Sequence, residues 1–489
     1  MDAEQKEILD RFFYPRSLAV IGVSADENAF GTRYLSAILK FGFKGKLYPI
    51  HPRGGELLGI KVYPRLGDVP DAIDLAVVCL PGRMVPGVLE ECLAKGIQAA
   101  IVVSAGFSET GEEGKKLELE LAKVRAKGIR IMGPNCFGVY CPRSGLTLLV
   151  GPNFPRESGP IGLVAQSGQF AEMIVLMARG LGLRFSKVIS YGNAFDLNEA
   201  DYLEYLAEDP DTKVIVVYVE GAKQGRRFLE VVRRTSKLKP VIIWKGGLTK
   251  TGSRAASSHT GSLAGSEAMW NTFFTQSGAI RVDSLDDLID TTIAFVHSTS
   301  GCSRRVALLS GSGGIAVIGA DACERAGLEL PSFSPEVQKT ISSLLPPIGT
   351  GVRNPVDLAT PHPPARTLTT ILETIFSREP VDTIILGRMF LSVKGPTLVL
   401  GTPKSLEQGR EEIRDIPLKV KSAFGKSIYV TLSEEVSDAE MIEFEADRRS
   451  LRHYYITHGI PVYPTLERAV KALAHVVRYQ ERFHRQEGG

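Results

Sequence analysis

The 489-residue sequence holds six cysteines, Cys79, Cys92, Cys136, Cys141, Cys302 and Cys323, with no CxxC pair and no dense framework among them. That spacing excludes a disulfide scaffold and the common zinc modules, and it suits a reducing cytoplasm. No cluster of His, Cys and carboxylates has metal-ligand spacing either, so no metal is expected in this chain. Missing too is any apolar run of membrane-spanning length, and the start, MDAEQKEILD, is polar and acidic where a secretory leader would be basic and then apolar. Neither charge sign dominates. The 58 Lys and Arg against 55 Asp and Glu leave a formal charge of +3, which excludes a general nucleic-acid or membrane-surface binder and leaves room for local anion sites.

What is present is ordinary globular material, 44% apolar and 23% charged, in a chain long enough for three domains. Short Val/Ile/Leu runs alternate with longer amphipathic stretches, as in SLAVIG (17–22), DLAVVCLP (74–81), QAAIVVSAGF (98–107) and KVIVVYVEG (213–221). Such alternation specifies α/β folding, with parallel sheets and crossover helices. Pro- and Gly-containing joints at 151–160 and 298–305 divide the chain into spans of 1–150, 155–298 and 304–485. The last two contain a repeat: residues 161–185 lie without gaps on 306–330, each reading as an apolar strand, an SG turn, a helix and a GL turn. Each is the opening βα unit of a flavodoxin-like sheet, whose ligands bind at the carboxyl ends of its strands.

Three places along the chain suit anion chemistry. After the first strand, a loop with Gly22 and Gly31 around Ser24 and Asn28 leads into an amphipathic helix, where backbone amides would receive a phosphate or simply make a turn. Arg53 follows the next strand, beside a turn residue, His51. In the second span, PIGLVAQSGQF starts a helix whose first amides, at Ser167, Gly168 and Gln169, would meet a dianion at the positive end of the helix dipole, while Ser167 also suits an N-cap. Glu220 ends a buried strand, placed to accept an imidazole N–H or to pair with Arg226 or Arg227. The imidazole on offer is His259 in RAASSHTGSLAGS, a Ser- and Gly-rich stretch expected to form a long loop; among hydroxyls and backbone amides it is a candidate nucleophile for phosphoryl transfer. The other histidines, including His297, His362, His453, His458, His475 and His484, lack such surroundings.

The motifs VIGVS...FG, GKLYPIHP, SAGFSETGEEG, IMGPNCFG, AQSGQ, YGNAFDLNEADYLEYLAEDP, YVEG, AASSHTGSLAGS and NPVDL, in that order over nearly the whole length, make the chain resemble the alpha subunit of ADP-forming acyl-CoA synthetases, relatives of succinyl-CoA synthetase. The resemblance implies a Rossmann-like coenzyme A-binding domain followed by two flavodoxin-like domains. It also implies coenzyme A contacts from Gly22, Ser24, Asn28, Gly31, Pro52 and Arg53, a phosphoryl group carried by His259, Glu220 supporting it, and phosphate held at Ser167, Gly168 and Gln169. No ATP-grasp portion follows Arg485, so ADP, ATP and Mg2+ are expected on a separate ATP-grasp beta subunit in a cytoplasmic hetero-oligomer. Two rival readings are a non-catalytic coenzyme A or acyl-CoA sensor of the same fold, against which the intact histidine segment argues, and a nicotinamide-dependent dehydrogenase. The dehydrogenase lacks its GxGxxG spacing, and IHPRGG offers no acidic residue for a ribose.

Overall fold

The computed structural model describes residues 1–151, 153–260, 265–387, 410–432 and 442–483; at 255, 257–260 and 410–412 only the backbone is described. His484 and all but the last residue of the unassigned stretch 394–410 lie outside the described residues.

The apolar runs become buried strands. Strands β1 (Ser17–Ile21), β2 (Lys46–Ile50), β5 (Leu75–Val78), β6 (Ala99–Val102) and β7 (Arg130–Met132) form a parallel sheet in the order β2-β1-β5-β6-β7, with a small hairpin of β3 (Gly55–Leu57) and β4 (Ile60–Val62) beside it. All five residues of β1 are buried, as a strand covered on both faces requires. Next come β8 (Gly138–Cys141), β9 (Leu146–Thr147), β10 (Ile161–Ala165), β11 (Phe185–Ser190), β12 (Val214–Val219), β13 (Val241–Lys245) and β14 (Ile280–Val282). They make a seven-stranded sheet, β14-β13-β12-β10-β11-β8-β9, parallel except for the antiparallel edge of β8 and β9. This second sheet therefore draws its edge strands from residues that precede the joint at 151–160. The third sheet, from β15 (Val306–Ser310), β16 (Val356–Asp357), β17 (Thr383–Gly387), β18 (Ser427–Thr431) and β19 (Val462–Tyr463), is wholly parallel in the order β16-β15-β17-β18-β19.

Counted in their own chain order, the parallel strands of each sheet run 2-1-3-4-5, the doubly wound order whose switch point lies between the first and third strands. The switch points are thus β1/β5, β10/β12 and β15/β17. The sequence repeat is a structural one: β10 leads into the helix Gly168–Gly180 and β15 into the helix Gly313–Ala326, each followed by a glycine at positive φ, Gly182 and Gly327.

Two compact units result, one of residues 1–179 with 184–283 and the other of 180–183 with 284–489. In the first, one apolar core runs across two sheets, from Leu9, Phe12 and Val20 to Val164, Ile215 and Phe228. Phe13 stacks on Tyr205 at 4.9 Å, and Asp196 accepts from Arg125 and Arg130 at 3.0 and 2.8 Å. In the second unit, the helix Leu285–His297 packs on the helix Leu466–Phe483 through Lys471–Asp287 (2.7 Å), Arg468–Asp290 and a Thr291–His475 hydrogen bond (3.0 Å). No described helix is long and apolar enough to cross a membrane.

Candidate functional site

At the switch point of the second sheet, β10 ends at Ala165 and the chain turns through Gln166 and Ser167 into the helix Gly168–Gly180. Gln166 binds this corner together. Its backbone N–H donates to the Tyr218 carbonyl at 3.0 Å, while its side-chain Oε1 accepts from the backbone N–H groups of Glu220 (2.7 Å) and Gly221 (3.2 Å). Ser167 is the helix cap: its Oγ accepts from the Phe170 N–H at 3.4 Å. Gly168 is a glycine for a steric reason, because a Cβ there would lie 2.6 Å from Cγ of Phe137.

Glu220 is buried directly beyond β12, and its Oε1 accepts the Tyr218 hydroxyl at 3.2 Å. Burial, with the Glu220 charge adding to it, holds the Tyr218 phenol well above its ordinary range, so Tyr218 is a donor at any physiological pH. Tyr218 packs against Phe170 (4.1 Å between ring centroids) and Trp244 (5.6 Å). The arginine pairing open to Glu220 in the sequence falls elsewhere for Arg227, which reaches Asp201 at 2.7 Å and Glu204 at 3.0 Å.

Beyond β13 the expected loop gives way to a helix, Lys250–Thr260. Thr249 starts it, its Oγ1 accepting from the Gly252 N–H at 3.1 Å and its carbonyl from Ser253 at 2.7 Å, an N-cap that overrides the poor propensity of the Ser and Gly residues after it. The helix carries His259 in its last turn; the His259 side chain, and Gly261 after it, lie outside the described residues. The next helix, Glu267–Ser277, buries Trp270, Phe273 and Phe274 and is capped by Ser266.

The N-terminus at Ser167 opens into a cleft of about 510 Å³. Its walls include Phe30, Leu80, Ser104, Asn135, Phe137 and Asn193 beside Gln166, Ser167, Gly168 and Gln169, so the edges of the first two sheets share one cavity. Asn135 adopts φ 58° and donates to Asn193 at 3.3 Å; Asn193 donates in turn to Glu109, whose other oxygen holds the Gly106 N–H at 2.6 Å. Gly192 (φ 59°) has no alternative, since a Cβ would sit 2.2 Å from the Asn135 carbonyl oxygen. Of the wall residues, sequence alone points to Ser167, Gly168 and Gln169. Burial pushes the Cys136 thiol, also in the wall, up to about 12, so it is inert as a nucleophile.

The loop of the first sheet has its own logic. Gly22 (φ 95°) lies where a Cβ would be 2.5 Å from the Cys79 carbonyl oxygen, and at Gly31 it would be 2.4 Å from that of Gly22, so the two glycines let β1, β5 and the helix Phe30–Phe41 close up. Ser24 and Asn28 shape the loop between them: the Ser24 N–H donates to Thr32 Oγ1 (2.9 Å), Ser24 Oγ accepts from Asp26 (2.9 Å), and the Asn28 N–H donates to Asp26 Oδ1 (2.9 Å). Pro52 and Arg53 are exposed on a turn in which the Arg53 N–H reaches His51 Nδ1 at 3.3 Å. Of this region only Phe30 reaches the cleft. Among the described residues no three His, Cys or carboxylate side chains gather as a metal site.

Comparison with known proteins gives three consecutive family matches: a CoA binding domain over residues 16–142, a succinyl-CoA ligase like flavodoxin domain over 158–295 and a Ligase-CoA domain over 306–483. Acetate–CoA ligase [ADP-forming] I subunit alpha of Pyrococcus furiosus is 34% identical over 97% of this chain and 98% of its own length. The II subunit alpha of the same organism is 39% identical over 72% of this chain and 76% of its own. Among solved structures, the dinucleotide forming acetyl-coenzyme A synthetase 1 of Ca. Korarchaeum cryptofilum, in complex with phosphate and ADP, superposes with a TM-score of 0.80 at 30% identity, covering 97% of this chain and 98% of that one.

Proposed function

The chain belongs to the ADP-forming acyl-CoA synthetase family as an alpha subunit, and on that premise we propose that it carries the phosphoryl group on His259 between an acyl-phosphate site in the cleft and a nucleotide on a partner subunit. It interconverts acyl-CoA, ADP and phosphate with a carboxylic acid, ATP and coenzyme A. Phosphate attacks the thioester carbonyl, which releases the coenzyme A thiol and leaves an acyl phosphate. An imidazole nitrogen of His259 then takes the phosphoryl group and the carboxylate departs. ADP finally attacks the phosphohistidine, giving ATP and restoring the free ring. Splitting one difficult transfer into two is the use of a covalent intermediate.

The attacking nitrogen must be unprotonated, so the other ring nitrogen keeps its proton and Glu220 accepts it, fixing the tautomer. The amides at Ser167, Gly168 and Gln169 hold the phosphoryl oxygens, with charge-assisted hydrogen bonds of roughly 1.5–3 kcal/mol each. Coenzyme A occupies the first sheet's edge, along Gly22, Ser24, Asn28 and Gly31 with Pro52 and Arg53 nearby. Three sheets, lying within 17–132, 138–282 and 306–463, divide this work. ADP and its Mg2+ sit on an ATP-grasp beta subunit, in a cytoplasmic hetero-oligomer.

One observation carries this reading: buried Glu220 and the helix N-terminus at Ser167 are joined by the single side chain of Gln166, at the edge of a cleft shared with the first sheet. The experiment is to supply the purified chain with acyl-CoA and labelled phosphate, with and without an ATP-grasp partner and ADP. Label on the chain alone, passing to ATP only when partner and ADP are added, supports the assignment; ATP made by the chain alone refutes the division between subunits.

A further inference from the structure

Strand β13 ends on a lysine that the reaction above leaves without a part. Lys245 is only 3% exposed. Its Nζ donates to the Gly246 carbonyl and lies 5.1 Å over the Trp270 ring. Among the described residues no carboxylate comes within 4.0 Å of it, and the one charged side chain that acts on it is Glu220, at longer range. A buried ammonium without a contacting counter-charge costs stability, and a hydrophobic residue at the end of a buried strand would avoid that cost.

The turn that Lys245 holds explains its presence. The Gly246 N–H donates to the Val219 carbonyl at 2.9 Å, so the turn is fixed to the residue before Glu220. A Cβ on Gly246 would lie 2.7 Å from the hydroxyl of Tyr218, the donor to Glu220. Gly247, at φ 77°, would bring a Cβ to 3.0 Å from both the Gly252 carbonyl oxygen and the Ala256 Cβ, so the helix Lys250–Thr260 rests directly on it. The Gly246–Gly247 pair is therefore the joint between the strand that presents Glu220 and the helix that carries His259.

We propose that Lys245 is a positioning residue for phosphoryl transfer: its ammonium, bound to the Gly246 carbonyl and seated on Trp270, holds the root of the His259 helix against the Glu220 strand. The effect is indirect and rests on the phosphohistidine reading. A neutral amine loses the charge assistance of the carbonyl bond and the attraction to the indole face, so the joint slackens when the proton leaves. Burial brings that event into reach, lowering the Lys245 pKa to about 8 while the Glu220 charge pulls it back up.

The chain has two tryptophans, Trp244 and Trp270, so a Trp244→Phe variant reports Trp270 emission alone. Its emission, followed without substrate from pH 6.5 to 9.5, is expected to titrate once near pH 8, and the step is expected to vanish in Trp244→Phe/Lys245→Met. In the full assay with partner subunit, phosphohistidine formation by the wild type is expected to fall about tenfold per pH unit well above pH 8. Lys245→Arg keeps the rate at pH 9 because guanidinium stays charged, and Lys245→Met is slow at every pH. An emission step that persists without Lys245, or an alkaline limb unmoved in Lys245→Arg, overturns the proposal. Since Lys245→Met can itself unsettle the turn, the conservative Arg variant and the emission titration decide. The emission titration involves no label on His259, so the failure of this inference and the failure of the phosphohistidine reading give different results.

Discussion

Gly168→Ala isolates one contact at the proposed phosphate site. An added methyl would sit 2.6 Å from Phe137 Cγ and 2.7 Å from Cδ1, about 1 Å inside normal carbon contact. Phe137 cannot simply retreat, because its backbone N–H donates to Ser190 Oγ at 3.1 Å and its ring already lines the cleft. Either the ring swings into the cavity or the first turn of the helix moves outward, and overpacking of this kind costs about 1–3 kcal/mol. Alanine would otherwise favour the helix by up to about 1 kcal/mol, so a loss cannot be charged to helix propensity. If the misfit is expressed at the amides of residues 167–169, the KM for phosphate rises about 5- to 150-fold, since 1.4 kcal/mol is a factor of ten. The KM for acyl-CoA should change less. Steady-state phosphate dependence of acyl-CoA consumption measures this, and Gly168→Ala/Phe137→Ala should recover most of the loss by reopening the space. An unchanged phosphate KM in Gly168→Ala, or no recovery in the double variant, refutes the argument that this contact sets the helix N-terminus.

Other outcomes follow from the same geometry. Glu220→Gln replaces a charged acceptor by a neutral one and should slow histidine phosphorylation about 10- to 150-fold without abolishing it, the worth of one charge-assisted hydrogen bond, as quench-flow labelling would show. Arg53→Ala should weaken coenzyme A binding in calorimetry and leave phosphate binding intact, because Arg53 stands on the exposed turn and away from the cleft. Glu199, 1% exposed, is pushed by burial from 4.5 to about 7, so the folded chain holds a proton that the unfolded chain releases and stability falls as pH rises across that window. Glu199→Gln should therefore raise the urea midpoint at pH 8, by a free energy of about 3 kcal/mol, and change little at pH 4.5.

The sheets were legible because strands buried on both faces read as unbroken Val/Ile/Leu runs, and the 161–185 and 306–330 repeat marked two opening βα units, whose switch points only the strand order places. Ser167 as a cap and Glu220 at a strand's carboxyl end were legible for the same reason, each sitting at the boundary of a clear element. The helix Lys250–Thr260 was not, because its Ser and Gly content masked a cap at Thr249 that only its hydrogen bonds reveal. The cleft wall was hidden more deeply. Phe30 starts a helix, Ser104 follows β6, Asn135 and Phe137 share the turn between β7 and β8, and Asn193 follows β11, so only the order of the strands brings them together; the one local hint is the Gly-Pro-Asn of IMGPNCFG, where Asn135 takes a left-handed backbone. Lys245 sits over Trp270, 25 residues on in sequence, a contact that no local pattern carries. The helix Leu285–His297, which the sequence puts in the span 155–298, packs in the unit of 180–183 and 284–489, where its Asp287 and Asp290 find their cations at Lys471 and Arg468.

The central claim is that His259 carries the phosphoryl group, and its most direct test is to incubate the wild type and His259→Ala with acyl-CoA and labelled phosphate, quench in base and map the modified peptide by mass spectrometry. The account requires an acid-labile, base-stable phosphate on the peptide containing His259 in the wild type, and none in His259→Ala, which should still fold and bind coenzyme A. Equal incorporation into His259→Ala, or label on any other residue of the wild type with His259 unmodified, would contradict it.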